Sequence, residues 1–116
     1  MKYMLMLYAD PANEPVPGTP AFEAYMADFF AVGEKMKDRA TILAGEGLTG
    51  VETATTLRER GGKVETTDGP FAETREHLGG FYLIEAATLD DALAFAAVIP
   101  VARLGSVEVR PVMDYS

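Results

Sequence analysis

Runs of hydrophobic residues along the chain predict four main β-strands. Residues 3–8 are apolar at every position, so both faces of that strand must be covered by other parts of a protein. Residues 80–86, which read GFYLIEA, likewise have apolar residues on both faces. A strand is also predicted over 41–48, and the last one, over 106–112, alternates apolar and polar residues. Two strands therefore have the pattern of central strands.

Apolar residues at three- and four-residue spacing predict two amphipathic helices between these strands. Thr19 is a suitable N-cap, and Pro20 a suitable first residue, for a helix that runs to about Asp38. Thr88 caps the second helix and Pro100 ends it. The apolar stripe predicted for the first helix comprises Phe22, Tyr25, Met26, Phe29, Phe30, Gly33 and Met36.

The order of elements predicts an α+β fold. A polar, β-prone segment over 54–68, with the glycine pair Gly61 and Gly62 inside it, reads as a protruding hairpin. The chain is then β-α-β-(hairpin)-β-α-β, a ferredoxin-like split βαβ arrangement with an inserted β-hairpin and strand order 4-1-3-2. Helices cover one face of such a sheet only. The other face, with Met4 or Met6, needs a partner, and a second copy would give a homodimer with a dimeric α/β barrel.

Composition narrows the class of protein. The 116 residues are 48% hydrophobic and 24% charged, which fits one globular domain over 1–116. A net charge of −8 without a basic patch argues against nucleic-acid binding. No cysteine is present, so thiol chemistry and disulfides are excluded. The apolar run over 3–9 is too short to span a membrane and has no signal-peptide pattern, so we expect a cytoplasmic protein.

The segment over 68–80 reads DGPFAETREHLGG and resembles the signature of the DGPF subgroup of YCII-related proteins. The resemblance extends to MKYMLMLYAD at the start, AGEGL over 44–48, GFYLIEA, and SVEVRPVM over 106–113. It implies a ferredoxin-like fold and a dimeric barrel. Members are often encoded beside alternative sigma factors, which implies a regulatory or stress context and leaves the chemistry open.

The same segment supplies most candidate site residues: Asp68, Phe71, Glu73, Arg75, Glu76 and His77. We predict Asp68 and His77 as catalytic acid–base groups and the others as substrate-binding groups. A helical turn starting at Pro70 would offer free N–H groups to an anion, with Arg75 beside it. In a helix, Glu73 would share a face with His77 and fix its tautomer. The alternative is a rigid turn followed by a solvated, charge-alternating surface.

His77 is the only histidine, and a lone histidine is more often a surface or hydrogen-bonding residue. Glutamine often stands at this position in the family that the chain resembles. Remote YCII relatives are thought to use a His–Asp pair near the sheet, and that histidine has no match here.

A second group of substrate-binding candidates lies on the strands: Tyr8, Asp10, Glu46 and Tyr82. Tyr8 and Asp10 end the first strand and could reach the same cleft as Glu46 and Asp68. Asp10 serves equally well as a cap before Pro11. Glu46 is flanked by glycines, which allow close approach of backbone or ligand. Tyr82 is more often a core residue, with its hydroxyl at the cleft rim as the alternative.

Several chemistries have no support in the sequence. Ser106 lacks the nucleophile elbow, and no glycine-rich phosphate motif or dinucleotide fingerprint is present. One histidine without cysteine does not make a zinc site. A metal site could also be built from the carboxylates of Asp68, Glu73 and Glu76, but acidic residues are far more often simply surface residues. We therefore expect no metal and no cofactor.

Three functions stay open. The first is an enzyme that performs acid–base chemistry on a small polar or aromatic substrate in a cleft of the dimeric barrel. The second is a ligand-binding or regulatory module without turnover, linked to sigma-factor or stress regulation. The third, ranked behind these two, is a dimeric structural domain. The sequence does not decide between enzyme and binding module, and it does not identify the small molecule.

Overall fold

The computed structural model describes all 116 residues and contains eight strands and helices. In chain order these are β1 (Lys2–Ala9), α1 (Pro20–Lys35), β2 (Ala40–Gly47), β3 (Thr55–Arg60), β4 (Lys63–Asp68), β5 (His77–Ala86), α2 (Leu89–Val98) and β6 (Ser106–Pro111). Three short 3-10 turns, Pro11–Asn13, Val51–Thr53 and Pro100–Arg103, connect them. The chain is thus a mixed α+β protein with the predicted order of elements.

The main sheet has four antiparallel strands in the order β2-β5-β1-β6. Counted without the hairpin, this is the predicted order 4-1-3-2, and the two strands with apolar residues on both faces, β1 and β5, are at the centre. Strands β3 and β4 form a separate two-stranded sheet. Their two-residue turn is Gly61-Gly62, with φ of +58° and +78°, which suits a type I′ turn. Neither sheet closes into a barrel within the chain.

The core lies between the two helices and one face of the main sheet. Strand β1 alternates strictly, so Tyr3, Leu5, Leu7 and Ala9 are buried against the helices. The residues between them, Met4, Met6 and Tyr8, are half-buried on the other face, which no helix covers. One face of the sheet is therefore open, as the strand pattern predicted.

Helix α1 begins as predicted, since the Thr19 hydroxyl accepts from the N–H of Phe22 at 3.2 Å. It ends at Lys35, earlier than the predicted end near Asp38. The predicted apolar stripe was wrong at one position, because Phe30 is 82% exposed while Val32, outside the stripe, is fully buried. The helix presents positions 25, 29, 32 and 36 to the sheet, and the 30 position points away from it.

Close packing explains the glycine inside α1. A Cβ at Gly33 would lie 3.2 Å from Cδ1 of Ile42 on β2. The helix therefore approaches the sheet edge more closely there than an ordinary side chain would allow. At its other end, α1 stands off from the sheet and leaves the space described next.

Candidate functional site: a cleft between helix α1 and the sheet

A cleft of about 380 Å³ opens between α1 and the ends of β2 and β5. Helix α1 forms one wall, and the loop after the first 3-10 turn closes one side. The lining residues are Leu7, Ala9, Glu14, Pro15, Phe22, Tyr25, Met26, Phe29, Phe30, Gly45, Glu46, Gly47, Gly79, Gly80, Phe81, Tyr82 and Val101. The volume falls within the range of small-molecule sites, and the lining is mainly apolar, as is usual for them.

The floor of the cleft is open because glycine occupies the strand positions beneath it. Gly45 and Gly47 are two apart on β2, and Gly47 is the register partner of Gly80 on β5. A Cβ at Gly45 would lie 3.1 Å from the Tyr82 ring, whereas a Cβ at Gly47 would meet nothing within 4 Å. Side chains at these positions would occupy the space that a ligand needs.

Tyr25 is the most unusual polar residue of the cleft. It is 7% exposed, and its buried hydroxyl has no hydrogen-bond partner. Its ring packs against that of Phe29, with centroids 5.1 Å apart. Burial, together with the negative charge of Glu14, raises the pKa of Tyr25 to about 12, although Arg103 opposes this. The phenol therefore stays neutral well above pH 7, and its donor is unused within the chain.

Tyr82 forms the part of the cleft wall that continues into the core. Its ring packs edge-on against that of Phe95 at 5.4 Å between centroids. Burial raises the pKa of the Tyr82 hydroxyl as well. The same side chain therefore packs against the core and lines the cleft.

The other strand candidates are divided between the two faces of the sheet. Glu46 borders the cleft with Gly45 and Gly47, but it is the register partner of Phe81, which faces Met6, so its side chain lies on the open face. Tyr8 also lies on the open face, since it alternates with the buried Leu7 and Ala9. The carboxylate of Asp10 accepts from the N–H of Ala12 at 2.9 Å, so Asp10 caps the first 3-10 turn. The side chains of these three candidates therefore do not meet in the cleft.

The start of the DGPFAETREHLGG segment is held against the hairpin by hydrogen bonds. Asp68 ends β4 with its side chain exposed, and Gly69 has a φ of +105°. The Thr56 hydroxyl donates to the carbonyl of Gly69 at 2.8 Å, and Nη2 of Arg58 donates to that of Phe71 at 3.0 Å. Residues 70–76 contain no helical turn, so the predicted helix at Pro70 is wrong. Two backbone carbonyls held by β3 fix the chain in a bent, extended path instead.

The rest of the segment leads into β5, and its candidate site residues make separate contacts. Nε2 of His77 lies 2.8 Å from the carbonyl oxygen of Thr74, so this contact, and not the predicted one with Glu73, fixes the ring. Glu76 accepts a hydrogen bond of 2.7 Å from the hydroxyl of Ser106. Arg75, like Glu73, is exposed and has no side-chain hydrogen bond or ion pair.

None of the six candidates in this segment lines the cleft, although the segment adjoins it. His77 pairs in register with Ala9, which lines the cleft, and Gly79 follows two residues later. No three histidine, aspartate or glutamate side chains converge as metal ligands. Neither helix has the length and apolar character to cross a membrane.

The sequence interpretation missed Tyr25 and Glu14, which form the polar end of the cleft. Tyr25 was assigned to the core stripe of α1, and Glu14 lies in a proline-rich loop with no recognisable motif. The available signal was the density of aromatic residues on α1, where Phe22, Tyr25, Phe29 and Phe30 exceed what one core-facing stripe requires.

The protein is of the α+β class, with an antiparallel sheet and an aromatic cleft between that sheet and helix α1. The chain belongs to the YCII-related domain family, whose model matches residues 1–116. It is also similar to an uncharacterised protein of Rhizobium meliloti (strain 1021), with 38% identity over 117 residues. The alignment covers 99% of this chain and 94% of that protein. The relationship therefore extends over the whole domain.

Proposed function

We propose that this protein binds a small, mostly apolar molecule in the cleft between α1 and the sheet. The observation that carries the proposal is the buried hydroxyl of Tyr25, which has no hydrogen-bond partner and belongs to an aromatic lining. A buried, unpaired hydroxyl costs about 1–3 kcal/mol. A ligand that pairs with it would recover part of that free energy while its apolar body fills the space above Gly47.

Binding without turnover is the function that this geometry supports best. The titratable side chains of the cleft are those of Glu14, Tyr25 and Tyr82, whereas the predicted acid–base residues Asp68 and His77 lie outside it. A regulatory module of the YCII-related type, responding to a bound metabolite, is consistent with that lining. The resemblance of 68–80 to the DGPF signature supports placing the chain in that subgroup, where a link to sigma-factor or stress regulation is implied.

Acid–base catalysis is the second candidate, and the hydrogen bond of His77 favours it. The carbonyl of Thr74 can only accept, so Nε2 must carry a proton. In neutral His77, Nδ1 then has the free lone pair of a general base. His77 would act from the end of the cleft next to Ala9, and Asp68 would have to approach by movement of the hairpin.

We further propose that two copies associate through the open face of the sheet. Met4 faces Leu83 in register and Met6 faces Phe81, so four apolar side chains lie together at its centre. All four are half-buried in the single chain and have no layer above them. A second ferredoxin-like unit packed sheet to sheet would cover this area and give the dimeric α/β barrel.

A ligand screen with one blocking variant tests the binding proposal. Wild type, Gly47→Val and Thr41→Val would be compared by thermal shift and native mass spectrometry against a metabolite library. Valine at Gly47 fills the cleft from its floor, and Thr41→Val places the same residue on β2 outside the cleft. We expect a ligand that stabilises the wild type and Thr41→Val but not Gly47→Val.

Two results would count against the proposal. One is a screen in which no compound binds. The other is a ligand that binds Gly47→Val as tightly as the wild type, which would place its site elsewhere. Incubation of a confirmed ligand with the protein, followed by mass spectrometry of the small molecule, then separates binding from turnover.

A further inference from the structure

The charged residues of the cleft are all of one sign. Among the lining residues, only Glu14 and Glu46 carry a charge at neutral pH, and no lysine, arginine or histidine is present. Arg103 acts electrostatically on Tyr25 from outside the lining, and its Nη2 lies 3.1 Å from a carboxylate oxygen of Asp28. This positive charge is thus already paired with a carboxylate of α1.

Aromatic rings make up much of the remaining lining. Four aromatic residues face this cleft from α1 and from the helix side of β5: Phe22, Tyr25, Phe29 and Tyr82. Three of them, Tyr25, Phe29 and Tyr82, make ring contacts that hold them in place. The faces of aromatic rings carry partial negative charge and attract cations within about 6 Å. The rings and the carboxylate of Glu14 therefore favour the same sign of ligand.

Glu14 supplies the negative charge on the helix side of the sheet. It follows the first 3-10 turn, lines the cleft and is close enough to Tyr25 to act on the hydroxyl electrostatically. Glu46 borders the floor between Gly45 and Gly47, but its register with Phe81 directs its side chain to the open face of the sheet. An anionic ligand would meet Glu14 and a protein of net charge −8 without a compensating base in the lining.

We infer that the cleft selects an organic cation: a small ammonium compound whose apolar or aromatic body packs among the rings and whose charge faces Glu14. This inference rests on the proposed function and specifies the class of its ligand. The Tyr25 hydroxyl would hydrogen-bond to a polar group of the same molecule. An anionic ligand held by Arg75, the alternative that the sequence suggested, would have to bind outside this lining.

Three soluble probes of similar size test the inference: benzylammonium, benzyl alcohol and benzoate. Their affinities would be measured at neutral pH by NMR titration or calorimetry on the full-length wild type. We expect benzylammonium to bind about fivefold or more tightly than benzyl alcohol, with benzoate weakest. Raising the salt concentration should reduce the preference, because the carboxylate of Glu14 is exposed.

Matched variants then test whether the preference for benzylammonium arises in the cleft. Glu14→Gln should weaken benzylammonium binding about threefold and leave benzyl alcohol unchanged. Glu23→Gln removes an exposed carboxylate from the first turn of α1, outside the cleft, and should behave as the wild type. Gly47→Val should abolish binding of all three probes.

Each contrary result overturns the inference. If benzyl alcohol or benzoate binds as tightly as benzylammonium, and Gly47→Val abolishes that binding, the cleft binds small molecules without selecting cations. The proposed function then stands while the charge assignment fails. If benzylammonium fails to bind at millimolar concentration, or binds Gly47→Val equally well, the charge assignment fails, and the metabolite screen alone decides the proposed function.

Discussion

The ring of Tyr82 packs edge-on against the ring of Phe95, with an interplanar angle of 74° and 5.4 Å between centroids. Phe95 is fully buried on α2, whereas Tyr82 is half-buried on β5 and lines the cleft. The core formed by α2 therefore supports one wall of the candidate site directly. Loss of packing at Phe95 should disturb both the stability of the domain and the shape of the cleft.

We expect Phe95→Ala to lower the free energy of unfolding by about 3–5 kcal/mol, because it leaves a large cavity in a closed core. Urea denaturation followed by circular dichroism measures this. Phe71→Ala is the matched control, since Phe71 is 77% exposed and its removal should change stability by less than about 0.5 kcal/mol. Similar losses for the two variants would contradict the burial of Phe95 described here.

Tyr25→Phe should raise the free energy of unfolding by about 1 kcal/mol near pH 7, because it removes a buried hydroxyl without a partner. Tyr3→Phe is the control: Tyr3 is also buried, but its hydroxyl lies 3.8 Å from the sulfur of Met1. A loss of stability in Tyr25→Phe would show that the hydroxyl has a partner in solution. Denaturant titrations of both variants and the wild type make the comparison.

Alkaline pH gives a second, independent readout of the same hydroxyl. An unfolded tyrosine ionises near pH 10, whereas burial keeps Tyr25 neutral until about pH 12. Unfolding therefore releases a proton in this range, and stability should fall as the pH rises from 10 towards 12. Tyr82, whose pKa is also raised, contributes in the same direction. Tyr25→Phe should make the fall shallower, and a fall as steep as that of the wild type would contradict the raised pKa of Tyr25.

Two glycines should respond oppositely to the same substitution. A Cβ at Gly105 would collide with the carbonyl oxygen of Tyr8 and lie 3.0 Å from Cα of Ala9. Because the obstacle is backbone, Gly105→Ala should destabilise the protein by about 1–3 kcal/mol. Gly47→Ala meets open space, so its melting temperature should be unchanged or slightly raised. Equal melting temperatures for the two variants would be inconsistent with this packing.

Periodicity was sufficient for most of the fold. The alternation of β1 and the caps at Thr19 and Thr88 are local features that tertiary contacts did not override, and the hairpin turn was evident from Gly61-Gly62. The failure at Phe30 has a physical cause. Spacing shows that a helix is apolar on one side, but the exact face depends on how the helix crosses the sheet.

The site was harder to predict, because it depends on where side chains are missing. Gly45 and Gly47 were noticed as interruptions of a strand, yet only the position of α1 above them shows that they form a floor. Residues 68–80 attracted attention through their dense polar chemistry. Their backbone carbonyls are instead held by Thr56 and Arg58 of the hairpin, a contact with no signal in local sequence.

The open face of the sheet leads to a prediction about assembly. Met6 lies at its centre, opposite Phe81 on β5 and Glu108 on β6. Met6→Lys would place a charged side chain inside the proposed interface. Burying it costs free energy even beside Glu108, and both charges stay hydrated only if the copies separate. In the single chain the face is open to water, so the variant should fold. We expect a dimer for the wild type and a monomer for Met6→Lys, measured by size-exclusion chromatography with light scattering.

The exposed hairpin provides the control for that experiment. Leu57 on β3 is 63% exposed, so Leu57→Lys changes the same number of charges on a surface outside the main sheet. This variant should stay dimeric. A dimer that survives Met6→Lys but is lost in Leu57→Lys would place the interface on the hairpin, and a monomeric wild type at micromolar concentration would refute the dimer altogether. Because an interface that buries apolar area resists high salt, the dimer should also persist when ionic strength is raised, whereas an association based on surface charges should weaken.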